Sequence, residues 1–378
     1  MSTTTFGPTT DPKWVKPERY SLLERTFLPI MRDERDLIFI RISALMTVTV
    51  VPLGLGMFLL PPWLIGVLAL PYIGFVFLGF GGRYGLMLHA TGHRPIFKRN
   101  YQFLHNYIPW VLGPFLGHTP TSFDAHHMWM HHAENNMLGD GSSTLPYTRD
   151  RFTHFLHYWA RFFFLGYFHV SRYLYLRGRK RILFKFIMGE LFWYALAAVA
   201  LWVNWAAALL VFIVPMLMMR WLMMAGNFAQ HSFVDVDNPD DGFGNSTCLT
   251  NTFYNHKSYN DGYHIVHHNK PGMHWTEMAK AYEDNIQDYI DKDAVVFDGI
   301  ADNQAIWFLL MTHNYDKLAR HLVNFRDRTH EEKVDFLKSR VRRTIGEIPR
   351  IFQIETPAMM KATDRHTGIP VEEALVAE

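Results

Sequence analysis

Four stretches of the chain are almost free of charge: Leu37–Leu60, Trp63–Gly82, Ile182–Val203 and Trp205–Ala225. Each approaches the roughly 20 residues that a helix needs to cross a bilayer core. Pro61-Pro62 between the first two suits a tight reversal. Each pair therefore reads as a helical hairpin. Arg41, Lys185, Glu190 and Arg220 fall towards the span ends, where long side chains can snorkel to water. Trp63, Trp202 and Trp205 fall near the hairpin tips, as an aromatic belt requires. The pattern predicts an all-α integral membrane protein: four spans in two hairpins, beneath a helical cap.

Elsewhere the periods change. Phe152, Phe155, Leu156, Trp159, Phe162, Phe163, Tyr167 and Val170 recur at helical spacing, opposite Arg151, His154, Arg161 and Arg172. That segment is either an interfacial helix on the bilayer or a core helix of the cap. Ile108–Leu116 is apolar but too short to span, which leaves a re-entrant or a buried position. Asn303–Phe325 reads as one helix and Arg326–Arg343 as a charged, solvated one. Ala358–Glu378 lacks an apolar period and reads as a flexible tail. The expected division is 1–36, an N-terminal segment; 37–300, the membrane domain with its cap; 301–357, C-terminal helices; and 358–378, the tail.

Charge supplies an orientation. The hairpin tips carry no Lys or Arg, whereas Arg83–Arg181 is rich in them, as is the N-terminal segment through Lys13, Lys16, Arg19, Arg25, Arg32 and Arg35. The positive-inside rule places the termini and the central segment in the cytoplasm, in a bacterial inner membrane or the endoplasmic reticulum. The net charge of +2 across 378 residues gives no basic strip for nucleic acid. Cys248 is the only cysteine, so no intramolecular disulfide or Cys-ligated zinc or iron–sulfur site can form within one chain. Met1–Glu34 has no short apolar core of the kind a secretory signal needs.

Histidine adds the chemistry. His89 and His93 follow the second apolar stretch; His127, His131 and His132 form a second cluster; His264, His267 and His268 form a third. His231 stands one helical turn after Asn227. Spacings of three to five residues put each set on one side of a helix. Nine clustered imidazoles exceed the four ligands of a structural zinc and suit two metal ions. His126 is an alternative to His127, although the i, i+4 spacing over His131 favours His127. Isolated histidines such as His105, His118, His154 and His256 read as structural, and His274 as a support or pocket residue. Asp124, Glu134, Asp235, Asp261 and Glu277 lie near enough in sequence to orient a ligand imidazole.

Across Leu37–Tyr282 the chain resembles the membrane fatty acid desaturase and hydroxylase superfamily, whose histidine boxes His89–His93, His127–His132 and His264–His268 match. His127-Met-Trp-Met-His131-His132 has one residue more than the usual second box, a variant shared by hydroxylase-like and some desaturase-like members. The resemblance implies a non-haem di-iron centre under a cytoplasmic cap, held by the nine histidines, with His231 as the extra ligand and Asn227 reaching a metal through water. It also implies two iron ions and O2, a lipid or acyl substrate, and an external electron donor: ferredoxin, rubredoxin or cytochrome b5 with its reductase. No GxGxxG unit or HPGG segment supplies electrons from within this sequence. The expected activity is acyl-chain desaturation. The rivals are hydroxylation and terminal-alkene-forming decarboxylation within the superfamily, and outside it a histidine-rich metal transporter.

Overall fold

In the computed structural model, residues 8–354 and 359–361 are described. They are mostly helical, with two three-residue strands. Four helices are long and apolar enough to cross a membrane: Glu34–Met57, Pro62–His93, Lys180–Val203 and Trp205–Gln230. The second is longer than its apolar stretch suggested, because it continues past Gly82 to His93. At about 1.5 Å per residue its 32 residues reach about 48 Å, beyond a core about 30 Å thick. The excess carries the first histidine pair out of the apolar region on a rigid rod.

One large apolar cluster fills the space between these helices, including Met46, Val50, Val76, Tyr84, Trp193 and Val211. Ile108, Leu112 and Leu116 belong to it, which places the short apolar segment inside the bundle. The Tyr84 hydroxyl donates to the Ile108 carbonyl at 3.1 Å, so the re-entering backbone is tied to the second span.

Of the four charges expected to snorkel, Glu190 does not reach water, while Arg41 stays half exposed. Arg41 is ion-paired with buried Glu24 of the N-terminal helix Leu22–Phe27. Glu190 is only 3% exposed and faces inward, where the Thr119 hydroxyl donates to it. A carboxylate is too short to snorkel from there; its partners lie inside the bundle instead.

Phe152–Leu176 is one uninterrupted helix. Phe155, Tyr158 and Val170 are buried, while Phe152, Leu156, Phe164, Phe168 and Tyr175 form an exposed apolar stripe. Arg161, expected on the polar face, is buried, and its guanidinium donates to the Gln353 carbonyl at 2.6 Å.

Beyond the fourth span, Cys248–Thr250 pairs in parallel with Val296–Asp298, with Leu249 opposite Phe297. One side of this ladder, Leu249 and Phe297, joins a core with Leu310, Leu318 and Leu337, while Cys248 and Val296 pack with Ile265 and Val266 of the third histidine cluster. Asn303–Phe325 is two helices rather than one, Asn303–Met311 and Tyr315–His321. His313 in the left-handed region turns the chain, and the Asn314 side chain caps the second helix. The charged helix is His330–Arg342, started by a Thr329–Glu332 capping box. Of 358–378 only 359–361 lie among the described residues; there Met360 is buried and the Lys361 amide donates to Glu134 at 2.9 Å.

The N-terminal segment is anchored as well. Buried Asp11 accepts from the Asn251 and Thr252 amides at 2.8 and 3.2 Å and from the Tyr263 hydroxyl at 2.5 Å. Tyr263 immediately precedes His264, so this strap bears on the third cluster.

Candidate metal centre

The nine clustered histidines come together as two groups. His89, His93, His127, His132 and His267 form one, and His131, His231, His264 and His268 the other. Within each group, one nitrogen per ring lies within 4.8 Å of all the others. Eight of the nine are buried, and His93 is partly so.

Four elements supply them. The end of the second span carries His89 and His93. The short helix His264–Asn269 points His267 into the first group and His264 and His268 into the second. His231 caps the fourth span. The second cluster lies on a π turn, Asp124–His131, whose i→i+5 hydrogen bonds widen the helix. His127 and His132 thereby face each other, with Nε2 atoms 3.0 Å apart, while His131 turns into the other group. The i, i+4 pairing of His127 with His131 expected from an α-helix is therefore not how these residues are shared out. His126 joins neither group; its Nε2 meets the Ser142 hydroxyl at 3.0 Å.

The donor set fits metal ions. In the first group Nε2–Nε2 separations are 2.7 Å for His89 and His267, and 2.8 Å for His267 and His132. In the second, His264 lies 3.0 Å from His268 and 3.3 Å from His231. Imidazoles sharing an ion at about 2.1 Å each, near right angles, stand about 3 Å apart. His131 Nε2 is buried with no hydrogen-bond partner among the described residues. Burial, reinforced by neighbouring imidazoles, pushes His127, His132, His264, His267 and His268 well below the usual histidine range. His231 is pushed down to about 3 by the same causes. Neutral rings with available lone pairs are the form a metal needs.

The outward nitrogens are held from behind. His89 Nδ1 is 2.5 Å from Asp261, and His131 Nδ1 is 2.6 Å from Asp140. His231 Nδ1 is 3.0 Å from the Asn245 carbonyl, and His268 Nδ1 is 3.0 Å from Asn135 Oδ1. These contacts fix which nitrogen turns inward. Burial works against the Asp140 charge, yet His131 holds its carboxyl well below the usual range, with the Ser142 amide helping. Tyr254 and Gln230 in turn hold Asp261.

Of the five acids near the clusters in sequence, Asp261 alone backs a clustered histidine in this way. Glu134 pairs with Arg177, Asp235 with Arg340, and Glu277 with Arg35. Asp140, Asn135 and Asn245 were not anticipated. Asp140-Gly-Ser142 is an Asx-type turn, and Asn135 takes the left-handed conformation that ends the helix, so turn chemistry was the available signal. His274 is a support residue, with Nε2 3.0 Å from Asp36 at the start of the first span.

The family model for fatty acid desaturases matches residues 61–299. The chain belongs to the fatty acid desaturase family. No curated protein and no solved structure matched it. The matched stretch contains every histidine of both groups.

Two cavities flank the centre of this family member. One, of about 310 Å³, touches His89, His127 and His264 and runs along Gly82, Gly85 and Met219. The other, of about 110 Å³, is walled by Phe162, Val170, Phe186 and Met224. Phe123, His127, Met223 and Asn227 line both. Asn227 is held there by a 2.8 Å hydrogen bond from its amide to the Tyr158 hydroxyl.

Proposed function

We propose that the chain is an O2-dependent di-iron acyl-chain desaturase with four spans in two hairpins and its centre on the cytoplasmic side. The observation that carries this reading is the division of nine imidazoles into two adjoining groups beside apolar cavities. His89, His93, His127, His132 and His267 would hold one iron; His131, His231, His264 and His268 would hold the other, with Asn227 beside it through water. Bound there, the iron pair supplies reductive activation of O2 against an unactivated alkyl C–H bond.

The residues set the rest. Asp261, Asp140, Asn245 and Asn135 lock imidazole tautomers, so the ligand field is fixed before substrate arrives. Phe123 and Met223 on the shared cavity wall press an alkyl chain towards His127 and exclude water. Desaturation takes up one O2, two electrons and two protons, and returns an alkene and two waters. The electrons come from an external carrier, a ferredoxin, rubredoxin or cytochrome b5.

Mass spectrometry of products from a defined fatty acid tests the reading. An alkene of unchanged chain length is expected. A hydroxylated product or loss of one carbon would instead select the hydroxylase or decarboxylase chemistry of the same superfamily. About two irons per purified chain, retained through turnover, would count against a transporter.

A further inference from the structure

The smaller cavity has a polar end that the metal centre does not use. Glu190, Arg220, His118 and Thr119 line it together with His127. Glu190 lies ten residues past Lys180, and Arg220 ten residues before Gln230. At about 1.5 Å per residue each lies about 15 Å inside its helix, within an apolar stretch. Ionisable groups at that depth mark functional sites by default.

The end is charged but incompletely satisfied. Glu190 accepts from the Thr119 hydroxyl through one carboxylate oxygen. Its other oxygen is 3.9 Å from the Arg220 guanidinium and has no hydrogen-bond partner among the described residues. His118 Nε2 also has none. Glu190 is 3% exposed and His118 9%. Buried polar atoms without partners are costly, and here two line one cavity.

The loop that carries His118 and Thr119 is packed tightly against both spans. A side-chain carbon on Gly189 would stand 2.0 Å from the Pro120 carbonyl oxygen, so the third span packs directly on the loop backbone. Gly117, with φ of +83°, would meet the Pro215 carbonyl at 2.2 Å on the fourth span. The polar end is therefore preformed, clamped between two spans.

Charge decides the ligand. Glu190 and Arg220 already oppose each other, so an added carboxylate would leave an uncompensated negative charge in an apolar setting. A hydroxyl adds no charge and brings one donor and two acceptor sites. We propose that this cavity takes a lipid chain bearing a hydroxyl group, which donates to Glu190 and accepts from Arg220. The proposal rests on the reading that the substrate is a lipid chain, and it makes Glu190 and Arg220 specificity-determining residues.

The test is binding to the purified protein without turnover. Palmitic acid, a series of monohydroxypalmitic acids with the hydroxyl moved along the chain, and the matching dicarboxylic acid each displace a fluorescent fatty acid. At least one hydroxy isomer should bind tenfold or more tightly than palmitic acid, and Glu190→Gln and Arg220→Leu should each abolish that preference. Glu190→Gln keeps an acceptor for Thr119, and melting curves show whether it folds. Equal binding of all hydroxy isomers and palmitic acid would overturn the proposal, as would tightest binding of the dicarboxylic acid or a preference that survives both substitutions. Failure of every chain to bind would overturn the lipid-substrate reading itself, and this proposal with it.

Discussion

His127 and His132 face each other across a π turn, five positions apart, with Nε2 atoms 3.0 Å apart. That contact separates His127 from its neighbour His126, whose ring is turned to Ser142. His127→Ala should lower turnover more than a hundredfold and reduce bound iron. His126→Ala should keep turnover within about tenfold of the parent and retain full iron. Metal analysis and product formation on the two variants check this; the reverse order would exchange their roles.

Asp140 reaches the proposed metal centre through His131, and a residue holding the back of a metal ligand is typically worth about 10–100-fold in affinity or activity. Asp140→Asn should therefore lose iron to a chelator about 10–100-fold more readily. An unchanged exchange rate would reduce the 2.6 Å contact to a packing detail.

Cys248 lies fully buried on a strand, and burial pushes its thiol up to about 12. Only the thiolate reacts, so a maleimide at pH 8 should leave the folded protein unlabelled. In denaturant one label per chain should appear. Rapid labelling of the native protein would mean that the strand pair opens.

Asp150, just before the helix Phe152–Leu176, accepts from Arg342 of the helix His330–Arg342 and from Tyr315 of the helix Tyr315–His321, each at 2.8 Å. Burial works to raise its carboxyl, but Arg342 and Tyr315 outweigh this and hold it below the usual range. Its contribution is thus present above the unfolded value of about 3.9 and is lost as pH falls through the depressed folded value. Thermal melts should show Asp150→Asn less stable by about 1–3 kcal/mol at pH 7, with the difference shrinking below pH about 4.

The apolar stretches and the nine clustered histidines were legible because both are written in local spacing. Composition marks a span, and three to five residues between histidines mark a shared face. The π turn was not legible, because a run such as Asp124–His131 carries no propensity signal that separates π from α. The backing residues were less legible: Asp261 stands just before His264 in sequence yet backs His89, far away along the chain, and Asn245 meets His231 only after the chain has looped back. Glu190 misled for a related reason. Its place in an apolar stretch is visible in the sequence, but the direction it faces depends on the loop at Thr119, far away along the chain.

The helix His264–Asn269 serves both groups, His267 in one and His264 with His268 in the other. During synthesis, then, neither group has its full set of rings until the ribosome has passed residue 268. On the proposed di-iron reading both ions would be acquired after the spans are already made, and a nascent chain cut short before that point would complete neither group.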